Sequence, residues 1–195
     1  MENSTKKPGL AWLNLWVHTR HTIRMLIERA PTANILWLAL LHGLILGLYW
    51  VPTVALYYPY AGASFLYILC LLAGAITGII QLYVVAWLYL FCGRWLGGQG
   101  TYQAVKCAVG WSFYPFIIAG ICGILSALTM PHPILQGLFS LISITAFIWG
   151  LVILFKVVAE AHRFSAWRAV VAVVIAVLFI LAFFFILSFL SALFS

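Results

Sequence analysis

Long apolar runs separated by short polar stretches make up most of this chain, and each run is long enough for a helix to cross a lipid bilayer, which takes about 20 residues. Five spans are expected, at about 34–51, 64–92, 105–128, 134–155 and 169–194. The second is the longest. At about 1.5 Å per residue it exceeds about 40 Å, against a hydrocarbon core of about 30 Å, so it is expected to tilt, bend or project beyond the lipid. A different period precedes the first run. Over 11–30, Trp12, Leu15, Trp16, Ile23, Leu26 and Ile27 fall on one side of a helix, and His18, His21, Arg24 and Glu28 on the other. Tryptophan with basic residues on a short amphipathic helix suits a headgroup interface. Packing of the same helix on the protein's own cytoplasmic loops is compatible with that reading. Residues 1–10 are polar, hold Pro8 and Gly9, and are expected to form a flexible tail. The pattern therefore predicts an all-α polytopic membrane protein: a tail at 1–10, an amphipathic interfacial helix at 11–30, and a five-span domain at 31–195.

Charge gives the spans a direction. The ten Lys and Arg residues fall into three stretches: Lys6, Lys7, Arg20, Arg24 and Arg29; then Arg94 and Lys106; then Lys156, Arg163 and Arg168. Positive charge resists translocation, so these stretches are expected on the cytoplasmic side, with the N-terminus inside and a short C-terminus outside. Pro52 with Tyr57, Tyr58 and Tyr60 reads as an aromatic belt at the outer surface, and 130–133 as a tight external turn. Two thirds of the residues are hydrophobic and only 7% are charged, where a soluble domain carries about 25%. The net charge of +7, confined to one side, points to anionic lipid rather than nucleic acid. The first span is expected to be retained, since the apolar segment is too long for a cleavable signal.

Composition also removes chemistries. The acidic residues are Glu2, Glu28 and Glu160, and there is no Asp, so paired-carboxylate catalysis and oxygen-ligand metal cages lack their ligands. Cys70, Cys92, Cys107 and Cys122 form no CxxC pair and read as small apolar residues, with acylation of Cys92 or Cys107 a weaker alternative. The serines of the spans have no GxSxG around them. The glycines at 97–100 lack the Gly-Lys-Ser/Thr ending of a phosphate loop. No catalytic residue, metal or cofactor is expected.

What remains are polar and glycine-bearing positions. His42 and Gln81 lie inside spans, where an ionisable or amide side chain is either glue between helices or part of a pathway. With Tyr114, and with Pro115 freeing a backbone carbonyl, they would define the path of a small transporter or channel. Gly43-x-x-x-Gly47, Gly74-x-x-x-Gly78 and Ala119-x-x-x-Gly123 permit close helix approach, within one chain or between copies. The turn containing Gly97, Gly98, Gly100 and Tyr102 and the cluster Glu160, His162 and Arg163 are, with Trp12, Trp16, Arg20 and Arg24, the candidate contacts for partners or lipids. His162 could make such a contact pH-sensitive.

The run Trp95-Leu-Gly-Gly-Gln-Gly-Thr-Tyr-Gln103 leads into Gly110-Trp-Ser-Phe-Tyr-Pro115. This resembles the Yip family of Ypt/Rab-interacting membrane proteins and their bacterial relatives, in which a glycine-rich cytoplasmic turn ends the second span and the third carries a Gly-aromatic-Ser-x-x-Pro pattern. The turn Glu160-Ala-His162-Arg163-Phe-Ser-Ala-Trp-Arg-Ala169 looks like that of the compact bacterial members. The resemblance covers about residues 10–190. It implies a non-enzymatic scaffold or adaptor in a membrane, here a bacterial inner membrane, with lipids, another membrane protein or a second copy as partners. Eukaryotic members are associated with Rab-type GTPases through a long cytosolic region. This chain has only about ten residues before the amphipathic helix, so GTPase binding is not expected.

Overall fold

The structure, a computed structural model, describes residues 19–29 and 32–193. Six helices follow one another: α1 (Thr19–Arg29), α2 (Thr32–Tyr57), α3 (Ala63–Trp95), α4 (Tyr102–Leu128), α5 (Pro133–His162) and α6 (Ala166–Leu193). There is no strand among the described residues. The last five helices are long and apolar enough to cross a membrane, which makes the chain an integral membrane protein. Each outruns its apolar sequence segment at one or both ends. α2 continues past Pro52 to Tyr57, since a proline removes only one backbone hydrogen bond and the neighbouring turns persist. At 33 residues, α3 is about 50 Å long and must extend beyond a hydrocarbon layer of about 30 Å.

The two glycine pairs face each other across α2 and α3. A Cβ built on Gly43 would overlap the Gly74 carbonyl oxygen, and one on Gly74 would overlap that of Gly43. Gly78 meets the Ala39 carbonyl in the same way, and Gly47 that of Cys70. The sequence leaves open whether such faces join spans of one chain or separate copies; here all four glycines are used within one chain.

α4 is the centre of the bundle, packed on α1, α2, α3 and α5. Every residue from 105 to 113 is buried. Hydroxyls tie α4 to α5. Ser143 Oγ donates to the Ala119 carbonyl (2.7 Å), and Ser126 and Ser140 share a hydrogen bond (2.7 Å). Tyr49 of α2 donates to the Gly120 carbonyl at 3.2 Å. So the 119–123 face, expected to permit close approach, receives Tyr49 from α2 and Ser143 from α5.

Burial is uneven along the bundle. The core gathers toward the end that carries the basic residues: Ile23 and Leu26, Ile35 and Ala39, Leu82 to Cys92, Val105 to Phe113, Ile153 to Ala161 and Ala169 to Ala176. α6 is buried only at Ala169, Ala172, Val173 and Ala176. From Leu181 to Leu193 it is exposed throughout, and an apolar groove of about 750 Å³ separates it from α3.

Candidate functional site

Two helices end at the basic end of the bundle, and they end by the same device. α3 stops with Gly97 in the left-handed region (φ 81°). Gly98 N–H then donates to the Gly93 carbonyl (2.9 Å) and Gly97 N–H to that of Arg94 (3.0 Å). α5 stops with Arg163 left-handed (φ 56°), Phe164 N–H donating to Ala159 (3.1 Å) and Arg163 N–H to Glu160 (3.2 Å). These are paired six-to-one and five-to-two bonds around a left-handed residue, the Schellman arrangement. Glycine takes that conformation without strain; arginine does not.

The two ends lock together through His162, whose side chain is 1% exposed. A Cβ added at Gly93, Gly98 or Gly100 would run into the imidazole, so three glycines are there to make room for one ring. Nothing approaches Gly97; that glycine serves the backbone turn alone. His162 Nε2 lies 3.1 Å from the Tyr89 carbonyl oxygen, and the ring stacks on Phe164 with centroids 5.1 Å apart. Nδ1 is buried without a partner. The main chain adds a further tie, Gln99 N–H to the His162 carbonyl at 3.1 Å. The tautomer with its proton on Nε2 fits these surroundings, because a carbonyl can only accept. Thr101 Oγ1 accepts from Ala104 N–H (3.3 Å) and starts α4 directly after the turn.

α1 lies across these ends, packed on α4 and α5. Thr22, Ile23 and Leu26 are buried, so this part of the apolar face meets protein. Arg24 on the opposite side reaches Glu160 with both Nε (2.8 Å) and Nη2 (2.6 Å) on Oε1. Glu160 is 13% exposed and Arg24 67%, so the pair joins α1 to α5 with the modest strength of a solvent-facing ion pair. Between α1, the turn after α3 and the end of α5 lies an open cavity of about 870 Å³. Arg24, Glu28, Gln99, Thr101, Glu160 and Arg163 supply its polar lining.

In the first turns of α4, Lys106 is nearly buried with Nζ 5.4 Å from the centre of the Tyr83 ring and 5.7 Å from that of Tyr102. The ring faces hold the charge there in place of a carboxylate. Tyr102 itself donates to the Tyr83 carbonyl at 3.4 Å. Cys92 and Cys107 are both closed off, at 0% and 1% exposure, which removes the acylation reading for them. Among the described residues no three His, Cys, Asp or Glu side chains gather as a metal site would require.

The structure thus brings together Arg24, Gly98, Gly100, Glu160, His162 and Arg163, with Gly97 and Tyr102 on their flanks. It places His162 and Gly100 inside rather than on the surface. Trp12, Trp16 and the side chain of Arg20 lie outside the described residues, as do the tail at 1–10 and the first turns of the amphipathic helix. His42 Nδ1 and Gln81 Oε1 are both buried without a hydrogen-bond partner. His42 stacks flat on Phe113 (centroids 4.6 Å apart, 5° between planes), and Gln81 lines the apolar groove beside α6. Tyr114 is half-buried and Pro115 fully so. Gly93, Tyr89 and Phe164 complete the histidine's surroundings without having been singled out from the sequence. The signal available was a fourth glycine, Gly93, one helical turn before Gly97.

No curated protein and no solved structure matches this chain. The sequence model of the Yip1 domain matches residues 13–189, which takes in the first four spans, most of the fifth, the glycine turn and the His162 turn, and the chain is therefore a member of the Yip1 domain family.

Proposed function

We propose that this protein is a non-enzymatic scaffold or adaptor that holds partner proteins or lipids against the cytoplasmic side of a membrane, most simply a bacterial inner membrane. The supporting observation is the three-glycine enclosure of His162. It uses the most reactive-looking side chain of the basic end as a structural pin, and it leaves a firm polar surface of Arg24, Glu28, Gln99 and Arg163 around an open cavity. A rigid polar face on an integral membrane body suits docking; no group of three metal-ligating side chains lies around it among the described residues. The basic stretches support a cytoplasmic position for this face. Trp12, Trp16 and Arg20, on the preceding helical stretch, would lie in the adjoining headgroup layer.

The scaffold reading is preferred to a transport path because the His42 ring stacks on Phe113 and the groove beside Gln81 is apolar. The test is cross-linking in native membranes, gentle purification, and mass spectrometry of what is retained. A protein companion in fixed ratio, lost when 97–102 is replaced by an unrelated turn, is the expected result. Retention that ignores the turn would sink the docking assignment.

A further inference from the structure

We infer that the cavity between α1, the turn after α3 and the end of α5 is a binding site for a phosphate group linked to a primary ammonium, the headgroup chemistry of phosphatidylethanolamine. Two observations carry this. The first is the contrast between the two helix ends. Both require a left-handed residue; α3 uses Gly97, while α5 uses Arg163 at φ 56°. A non-glycine residue held there is strained, and strain of that kind concentrates where a side chain is needed. What the arginine adds over a glycine is a guanidinium on the cavity wall.

The second observation is the charge pattern. The described charged residues lining the cavity are Arg24, Arg163, Glu28 and Glu160, two of each sign. Arg24 and Glu160 are used on each other. Arg163 and Glu28 have no ion-pair partner among the described residues, so the walls present one cation and one carboxylate to whatever enters. An anionic headgroup would meet Arg163 but face two carboxylates. A simple cation would meet the reverse. A zwitterion satisfies both, its phosphate forked by the guanidinium and its ammonium donating to Glu28. A quaternary choline has no N–H for that second bond, so the primary amine is favoured. The place fits a lipid source: the cavity lies at the ends of helices that are longer than the hydrocarbon is thick, on the side of the basic residues.

The inference rests on the scaffold reading only in taking the basic end as a headgroup-facing surface. The test reconstitutes the full chain in vesicles of equal parts phosphatidylethanolamine, phosphatidylglycerol and phosphatidylcholine, then counts lipids retained on the released protein by native mass spectrometry. Retention of phosphatidylethanolamine over the other two is expected. Arg163→Gly should weaken it by about tenfold or more, the scale of a lost charge-assisted bond, while raising the thermal midpoint, because glycine relieves the backbone. Glu28→Gln should shift retention toward phosphatidylglycerol. If soluble phosphoethanolamine occupies the site and no lipid is retained, the same recognition stands with a soluble ligand as its source. Equal retention of all three lipids, or retention unchanged in both variants, overturns the inference. A chain that keeps this lipid but captures no protein loses the docking reading and not this one; partner capture without lipid selectivity does the opposite.

Discussion

An imidazole enclosed by three glycines can be disturbed from either side, and the two disturbances should cancel. Gly93→Ala places a methyl against the ring and is expected to destabilise by about 1–3 kcal/mol, as overpacking does. His162→Ala removes the ring and leaves a hole, costing about 2–4 kcal/mol. In the double variant the added methyl enters the vacated space, so its loss should fall short of the sum by more than about 1 kcal/mol. Unfolding of the four proteins in one detergent measures the coupling; strict additivity would mean the ring and the glycine do not meet. Protonation offers a third route. Nε2 already faces the Tyr89 carbonyl, and a second proton on Nδ1 would be buried with no acceptor. The unfolded chain takes up that proton freely near the ordinary histidine pKa of about 6.5. Stability from this contact is therefore present above that range and falls as pH drops through it, and His162→Ala should flatten the profile. The presence of a histidine in a turn with Glu160 and Arg163 was plain from the sequence, and so were the glycines. Their union was not, because a polar trio reads as a solvated surface, and the glycines belong to a turn far away along the chain. Chain order fixes neither the docking of α1 nor the meeting of the two turns.

At the level of helices, the spans were legible because lipid imposes a blunt rule of length and apolarity, and because Lys and Arg mark one side. Which face of a span meets protein was far less so. α6 is the most hydrophobic of the five and also the least packed, since an all-apolar helix shows no contrast between a lipid face and a protein face. Small residues give the only hint: Ala169, Ala172 and Ala176 form its buried edge. Ala176→Leu is accordingly expected to lose about 1–3 kcal/mol by overpacking. Leu187→Ala, in the exposed outer half, should stay within about 0.5 kcal/mol. Comparable losses from both would show that the outer half of α6 is docked after all. For α2 and α3, Gly74→Val puts two methyls where the Gly43 carbonyl stands and should disrupt the pair outright, seen as new protease cleavage at 58–62. The glycine spacing forecast a close contact but could not say with what.

Seen whole, the molecule is tight at its basic end and open at the other, with α1, the two turns and the Arg24–Glu160 pair acting as a clasp. Arg24→Ala releases one side of that clasp, and because the pair faces solvent the loss is expected to be about 0–1 kcal/mol. α1 should then become accessible to thiol labelling at a cysteine introduced in place of Ile23. Continued protection of that cysteine would show that apolar packing alone holds the helix. Function is the least legible of all, because membership of a family supplies the fold while a docking face is defined by its partner.

The glycine seam between α2 and α3 has a consequence for how the protein is made. Its members are neighbours in sequence, joined through residues 58–62, so their contact closes a short loop. Glycine has no side-chain rotamers to give up, so the seam costs no side-chain entropy when it forms. A hairpin with those properties can close while the later spans are still being synthesised. The remaining helices would then enter the bilayer beside a wall that is already standing, and α4 would find its place against it before α5 and α6 arrive.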